Sequence, residues 1–218
     1  MSTTTLILIY LVAAFLGSRV PVLRVYLAHI HNLVHLVISV CLEGVRKNKI
    51  KLYRDGSGVT TGNLTSSFKK ALISYAGYTG ASLAAIGLFY LVTRGYYHLV
   101  IYLFLGLCVL ALALWIRNTY GVIWGISLVV LLALPVYFRT DMVLVHLSIL
   151  LASVLFSQSI VGAIQVCRQS LMTRGNPGRK AALVQTKFVP AVVLGMVLFG
   201  QTLYVGYYFV RNFLGFPF

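Results

Sequence analysis

The sequence predicts an all-α polytopic membrane protein of about seven transmembrane helices, with a small β-hairpin in the loop after the second span. Three observations carry that prediction. Of the 218 residues, 60% are hydrophobic and 10% are charged, whereas ordinary soluble domains are about 25% charged. Apolar stretches near the roughly 20 residues that a bilayer demands recur along the chain. Between the second and third of them lies the longest polar segment, and it carries strand and tight-turn signals. The length suits one membrane domain over residues 1–218.

The apolar stretches fall at 5–16, 25–42, 71–92, 97–116, 121–138, 142–166 and 188–210. The first is short for a full crossing. It lacks the basic n-region and cleavage site of a secretory signal, so it reads as a retained helix. Ala76, Gly77, Gly80, Ala81, Ala84 and Ala85 cluster in the third stretch and predict a close helix–helix contact. Tyr96, Tyr97, Trp115 and Tyr120 sit near stretch ends, as an interfacial aromatic belt requires. Cys41, Cys108 and Cys167 are scattered without CxxC spacing and are expected to be buried free thiols.

The polar segment, 43–70, contains KIKLY, then RDGSG, then VTTGN. The first alternates as a strand does, the second is a turn sequence, and the third restarts the strand. A second polar segment, 167–187, holds RGNPGRK and reads as a connecting turn.

The net charge is +15, from 18 Lys and Arg against 3 Asp and Glu. In so apolar a chain this balance points to anionic lipid headgroups, not to nucleic acid. Lysine and arginine concentrate after the second, fourth and sixth stretches, which the positive-inside bias places in the cytoplasm together with the N-terminus.

Ionisable groups within membrane spans are candidates for function because their burial is costly. These are His29, His31, His35, Asp141 and His146; His98 lies near a span end. His31 and His35 are four apart, so both imidazoles share one helix face, and His29 points elsewhere. Two histidines at this spacing are half of a zinc site, which needs a third donor and an open position. Of the three acids, Glu43, Asp55 and Asp141, the last is best placed, so the expected metal set is His31, His35 and Asp141, with zinc as the metal. The plain alternative is that both imidazoles hydrogen-bond to neighbouring helices.

The order of features resembles the membrane-embedded zinc metallopeptidases related to site-2 protease, especially their compact bacterial branch. A histidine-bearing helix follows a short first span. Gly44, KIKLY and the turn Asp55, Gly56, Ser57, Gly58, Val59, Thr60 follow, then the small-residue helix SYAGYTGASL and an Asp-led helix from Asp141. The resemblance implies Asp55, Gly56 and Gly58 as further site residues and a bacterial cytoplasmic membrane as the location; His146, just over a turn past Asp141, is a further site residue by its place within a span. It also implies a membrane-spanning segment of another protein as partner. Its motif is H-E-x-x-H, in which glutamate activates zinc-bound water. Here His31 and His35 frame HNLVH, with Asn32 in the glutamate's place. Setting His35 on the first histidine instead leaves Leu36 and Ser39 at the remaining positions. Either way the general base is missing, because an amide takes no proton from water near neutral pH. The expected function is a site-2-protease-like homologue that hydrolyses weakly or not at all and keeps a groove for a metal or a membrane segment. The alternatives are a non-enzymatic membrane subunit or scaffold binding lipid or a partner complex, and a small transporter with a His and Asp proton relay.

Overall fold

A computed structural model describes residues 3–43, 49–60, 67–172 and 191–215. Among them are seven helices: α1 Thr3–Gly17, α2 Pro21–Glu43, α3 Ser67–Thr93, α4 Tyr97–Leu114, α5 Thr119–Tyr137, α6 Asp141–Met172 and α7 Ala191–Phe213. The strands β1 Ile50–Leu52 and β2 Gly58–Thr60 lie between α2 and α3. Each helix overlaps one apolar stretch of the sequence. The helices α2 to α6 each contain a segment long and apolar enough to cross a membrane, and α1, at 15 residues, is too short.

The connections are tight and chemically explicit. α1 hands over to α2 through a three-residue turn in which the Ser18 hydroxyl donates to Phe15 O at 2.6 Å. Pro21 then opens α2, where its missing N–H costs nothing. Between α3 and α4 the backbone turns at Gly95, whose φ of +80° suits a residue without a Cβ. Its N–H donates to Val92 O, and the Tyr96 N–H donates to Leu91 O, closing the end of α3.

The longest helix, α6, is the hub. It touches each of the other six helices. Its membrane segment is 67% buried, against 28–39% for the other four candidate spans. An aromatic knot joins three helices: the Phe209 ring of α7 lies 4.6 Å from Phe89 of α3 and 4.5 Å from Phe156 of α6. In a lipid solvent such contacts act by close packing, since hydrocarbon offers no hydrophobic drive between helices.

The hairpin forms where the polar segment predicts it. β1 and β2 are antiparallel, with Ile50 opposite Thr60, Lys51 opposite Val59 and Leu52 opposite Gly58. Ile50 and Leu52 are buried and Lys51 is exposed, so the alternation of KIKLY is read out as inside and outside. On its other side β1 meets the α4–α5 connection. The Ile50 N–H donates to Trp115 O at 3.0 Å, and Ile116 forms a parallel bridge to Ile50. This is why α4 stops at Leu114 and not at Ile116. β1 is thus paired with β2 on one side and anchored by a single bridge on the other, support that two isolated strands would lack in water.

Two expectations change. Cys41 is exposed, because it lies near the end of α2 where none of the described residues covers it; Cys108 is buried and Cys167 intermediate. The helix α6 runs on to Met172, shortening the polar segment after it. The turn read from RGNPGRK, with the rest of 173–190, lies outside the described residues, as do 44–48 and 61–66.

Candidate functional site

The helix α2 carries the site, and it has two working faces. Val25, Ala28, His29 and Asn32 form one of them by helical spacing, and the hairpin turn lies on it. A Cβ placed on Gly56 would meet Ala28 Cβ at 3.5 Å and Val25 Cα at 3.6 Å, so the turn backbone rests directly on the helix. Gly56 has φ +87°, which a side chain would strain. The turn is closed from within. The Tyr53 N–H donates to Ser57 O, and Asp55 Oδ1 accepts the Ser57 N–H at 2.9 Å and its hydroxyl at 2.6 Å. The Ser57 hydroxyl and N–H hold the Asp55 carboxyl below its ordinary pKa.

Two side chains of α2 grip this turn. His29 Nε2 lies 3.1 Å from Tyr53 O. A carbonyl only accepts, so Nε2 carries the proton and Nδ1 of the neutral ring is an acceptor. Asn32 Nδ2 lies 3.3 Å from that Nδ1 and 3.1 Å from Gly56 O. The two amide hydrogens of Asn32 therefore have one acceptor each. The His29 ring is itself held edge-on between Tyr120 and Trp124 of α5, with centroids 5.9 and 5.4 Å away. A third grip comes from Asn118. It precedes α5 but does not cap it; its Oδ1 accepts the Leu52 N–H at 3.0 Å and its Nδ2 donates to Leu52 O. The side-chain amide copies a strand's pairing with β1. Gly121 makes room for it, since a Cβ there would lie 2.7 Å from Asn118 Oδ1.

The other face holds His31 and His35, turned toward α3. Their ring centroids are 6.4 Å apart, and the Tyr78 ring lies 5.9 Å from the first and 5.7 Å from the second. A Cβ on Gly77 would overlap the His35 ring, and one on Gly80 would overlap Ile38, so the predicted small-residue face of α3 is what admits α2. A Cβ on Gly162 of α6 would stand 3.0 Å from Tyr78 Cε1. His31 is 8% exposed, and its Nδ1 is buried with no hydrogen-bond partner among the described residues.

Asp141 is not brought to this pair. It is the first residue of α6, its side chain is 80% exposed, and Oδ1 lies 3.4 Å from His98 Nε2 at the start of α4. A carboxylate there suits the positive end of the helix dipole and has no desolvation to offset. His146 is also engaged elsewhere, with Nδ1 3.0 Å from the Tyr10 hydroxyl of α1. Asp55 stays with Ser57 in the turn. Among the described residues no three His, Cys, Asp or Glu side chains gather in a way able to hold a metal ion. A catalytic zinc site takes three protein donors and a water. The orphaned His31 Nδ1 is a donor in waiting, but the pair alone does not make that site.

Beside Val34, Val37 and Ile38 an apolar cavity of about 410 Å³ opens between α2, α3, α4 and α6, and no histidine lines it. Val34, Ile38, Gly80, Ala84, Leu103 and Leu155 line it among others.

Sequence reasoning counted His29 among the candidates but gave it no role, and it missed Tyr78 and Asn118. The signal for a role of His29 was present, because His29 and Asn32 are three apart on one face. Asn118, just before a helix, reads as an N-cap, and nothing local announces its bond to a strand 66 residues away.

No curated protein and no solved structure matches the chain. A family model does, that described as Peptidase M50B-like, over residues 3–209. That span takes in all the elements above up to Phe209 of α7, including HNLVH, the hairpin and the small-residue helix, as the site-2-protease resemblance implies. The chain therefore belongs to the Peptidase M50B-like family.

Proposed function

We propose that this chain is a non-hydrolytic member of its family, which holds an apolar membrane segment beside the α2 histidines and does not cut it. One observation carries the reading: the side chain at the general-base position is an amide with both hydrogens committed, to Gly56 O and His29 Nδ1. It has neither the basicity nor the freedom to take a proton from water. The donor set supports the same reading, since Asp141 is paired with His98 and, among the described residues, no three His, Cys, Asp or Glu side chains gather to hold a metal ion. The apolar cavity along Val34, Val37 and Ile38 of the same helix supports the binding half, as its lining matches hydrocarbon or apolar side chains.

The test uses the full chain in lipid nanodiscs, supplied with zinc and a fluorescent transmembrane peptide. The expected result is saturable binding without cleavage, weakened at least tenfold by Ala84→Trp, which fills the cavity. Zinc-dependent cleavage that is lost in His31→Ala overturns the reading.

A second reading, a scaffold on anionic lipid, is favoured by the outward Lys51 and Arg54 of the hairpin. Under it, charge reversal at these two positions lowers binding to phosphatidylserine vesicles while peptide binding is unchanged.

A further inference from the structure

We propose that Asn32 is a positioning residue, a latch that fastens the hairpin turn to α2 through His29. The proposal rests on hydrogen-bond direction and stands apart from whether the chain cleaves peptides.

The network reads in one direction. Tyr53 O and Gly56 O are carbonyls and accept only. His29 must donate to the first from Nε2, which leaves Nδ1 a bare acceptor. The remaining acceptors, His29 Nδ1 and Gly56 O, then both face one group, Asn32 Nδ2, at 3.3 and 3.1 Å. An NH₂ group has the two hydrogens that this geometry asks for. A carboxylate at the same place has none. It would set an anion against a carbonyl oxygen and an imidazole lone pair, turning two attractions into two repulsions. Position 32 is thus able to fasten the turn only as an amide, and the residue that would make the motif catalytic would unfasten it.

The packing around the latch is built to the same end. Gly58 leaves Asn32 its space, since a Cβ there would lie 3.0 Å from both Cγ and Nδ2 of Asn32. The turn sits on Ala28 and Val25 without a side chain between them. Tyr120 and Trp124 keep the His29 ring from rotating away. Asn118 secures β1 independently at Leu52, the last strand residue before the turn, so the two amides hold strand and turn from different helices. Releasing Asn32 frees the turn while leaving the strand pairing attached to α5.

The experiment is site-resolved hydrogen exchange on the full chain in nanodiscs, read on peptides covering 50–58. Asn32→Asp is nearly isosteric and reverses the donor, and it is expected to raise exchange at the turn by roughly 5- to 30-fold, the range for a lost hydrogen bond with an acceptor left unpaired. Asn32→Ala is expected to act in the same direction by a smaller factor. Exchange in α4 and α5 stays unchanged in both, which a general loss of stability would not allow. As a second readout, Ala28→Cys in a Cys41→Ser background gains maleimide reactivity when Asn32→Asp is added. Should the Asp variant not fold, Asn32→Ala is carried through both measurements and decides the matter. Wild-type exchange and labelling rates in the folded variants overturn the proposal, as does a rise spread evenly over the whole bundle.

Discussion

The two faces of α2 solve the cost of burying polar groups in opposite ways. On the hairpin face, the His29 Nε2–H and both Asn32 amide hydrogens have partners, and two of the three bonds they make fix a loop in place. On the α3 face, His31 and His35 lie among an aromatic ring and glycines, and His31 Nδ1 is left without a partner among the described residues. A satisfied network specifies structure, whereas an unsatisfied buried donor or acceptor costs stability and marks a place kept for something else. The lesson is that neighbouring positions of one helix serve different ends: His31 and His35 pack against α3, and Asn32 between them fastens a loop.

Substitutions should separate the faces. The largest effect is expected from Gly77→Leu, which drives a side chain into the His35 ring and parts α2 from α3. Overpacking of this kind costs at least about 1–3 kcal/mol, seen as a lower thermal midpoint in detergent with the hairpin's exchange rates little changed. Next comes Asn118→Ala, which removes both bonds to Leu52 and leaves a strand N–H and C=O to find water. A loss on the order of 2 kcal/mol is expected, read as faster exchange at Leu52 with the α2–α3 contact intact. Tyr10→Phe removes the hydroxyl that meets His146, and about 0.6–1 kcal/mol should follow, measurable as a modest shift in unfolding by denaturing detergent. The smallest effect is that of acid on the turn. Asp55 has a lowered pKa in the folded chain, so its contribution is present above the unfolded value of about 3.9 and is lost as pH falls below it. Exchange at Ser57 should therefore rise below about pH 4, and Asp55→Asn should flatten that profile.

Much of the fold was legible because lipid imposes a coarse rule, and a coarse rule is easily read. Each apolar stretch became a helix, with ends moved by a few residues where local chemistry intervened: Pro21 started α2 early, and the Ile116 bridge ended α4 early. KIKLY and RDGSG gave a strand and a turn because alternation and Asx-turn chemistry are local. The site was legible in part. The shared face of His31 and His35 follows from a helix's 3.6-residue period. What failed to show was distance across the bundle. Asp141 and His31 are compatible in depth by simple counting, yet a helix-initiating aspartate beside His98 had a nearer use. Asn118 reached a strand far back in the chain for the same reason: side-chain amides pair with whatever backbone the packing presents.

The hub helix has a bearing on how the molecule is made. At 32 residues α6 is about 48 Å long, well beyond the roughly 30 Å of hydrocarbon it crosses, so its Arg168 end stands clear of the lipid core. In chain order it follows α1 to α5. These five enter the bilayer without the neighbour that they share, and they must wait there as loosely associated spans. Assembly is then a late, concerted docking around one newcomer. A chain truncated before residue 141 should insert normally and yet be cleared by quality-control proteases that recognise unpaired spans.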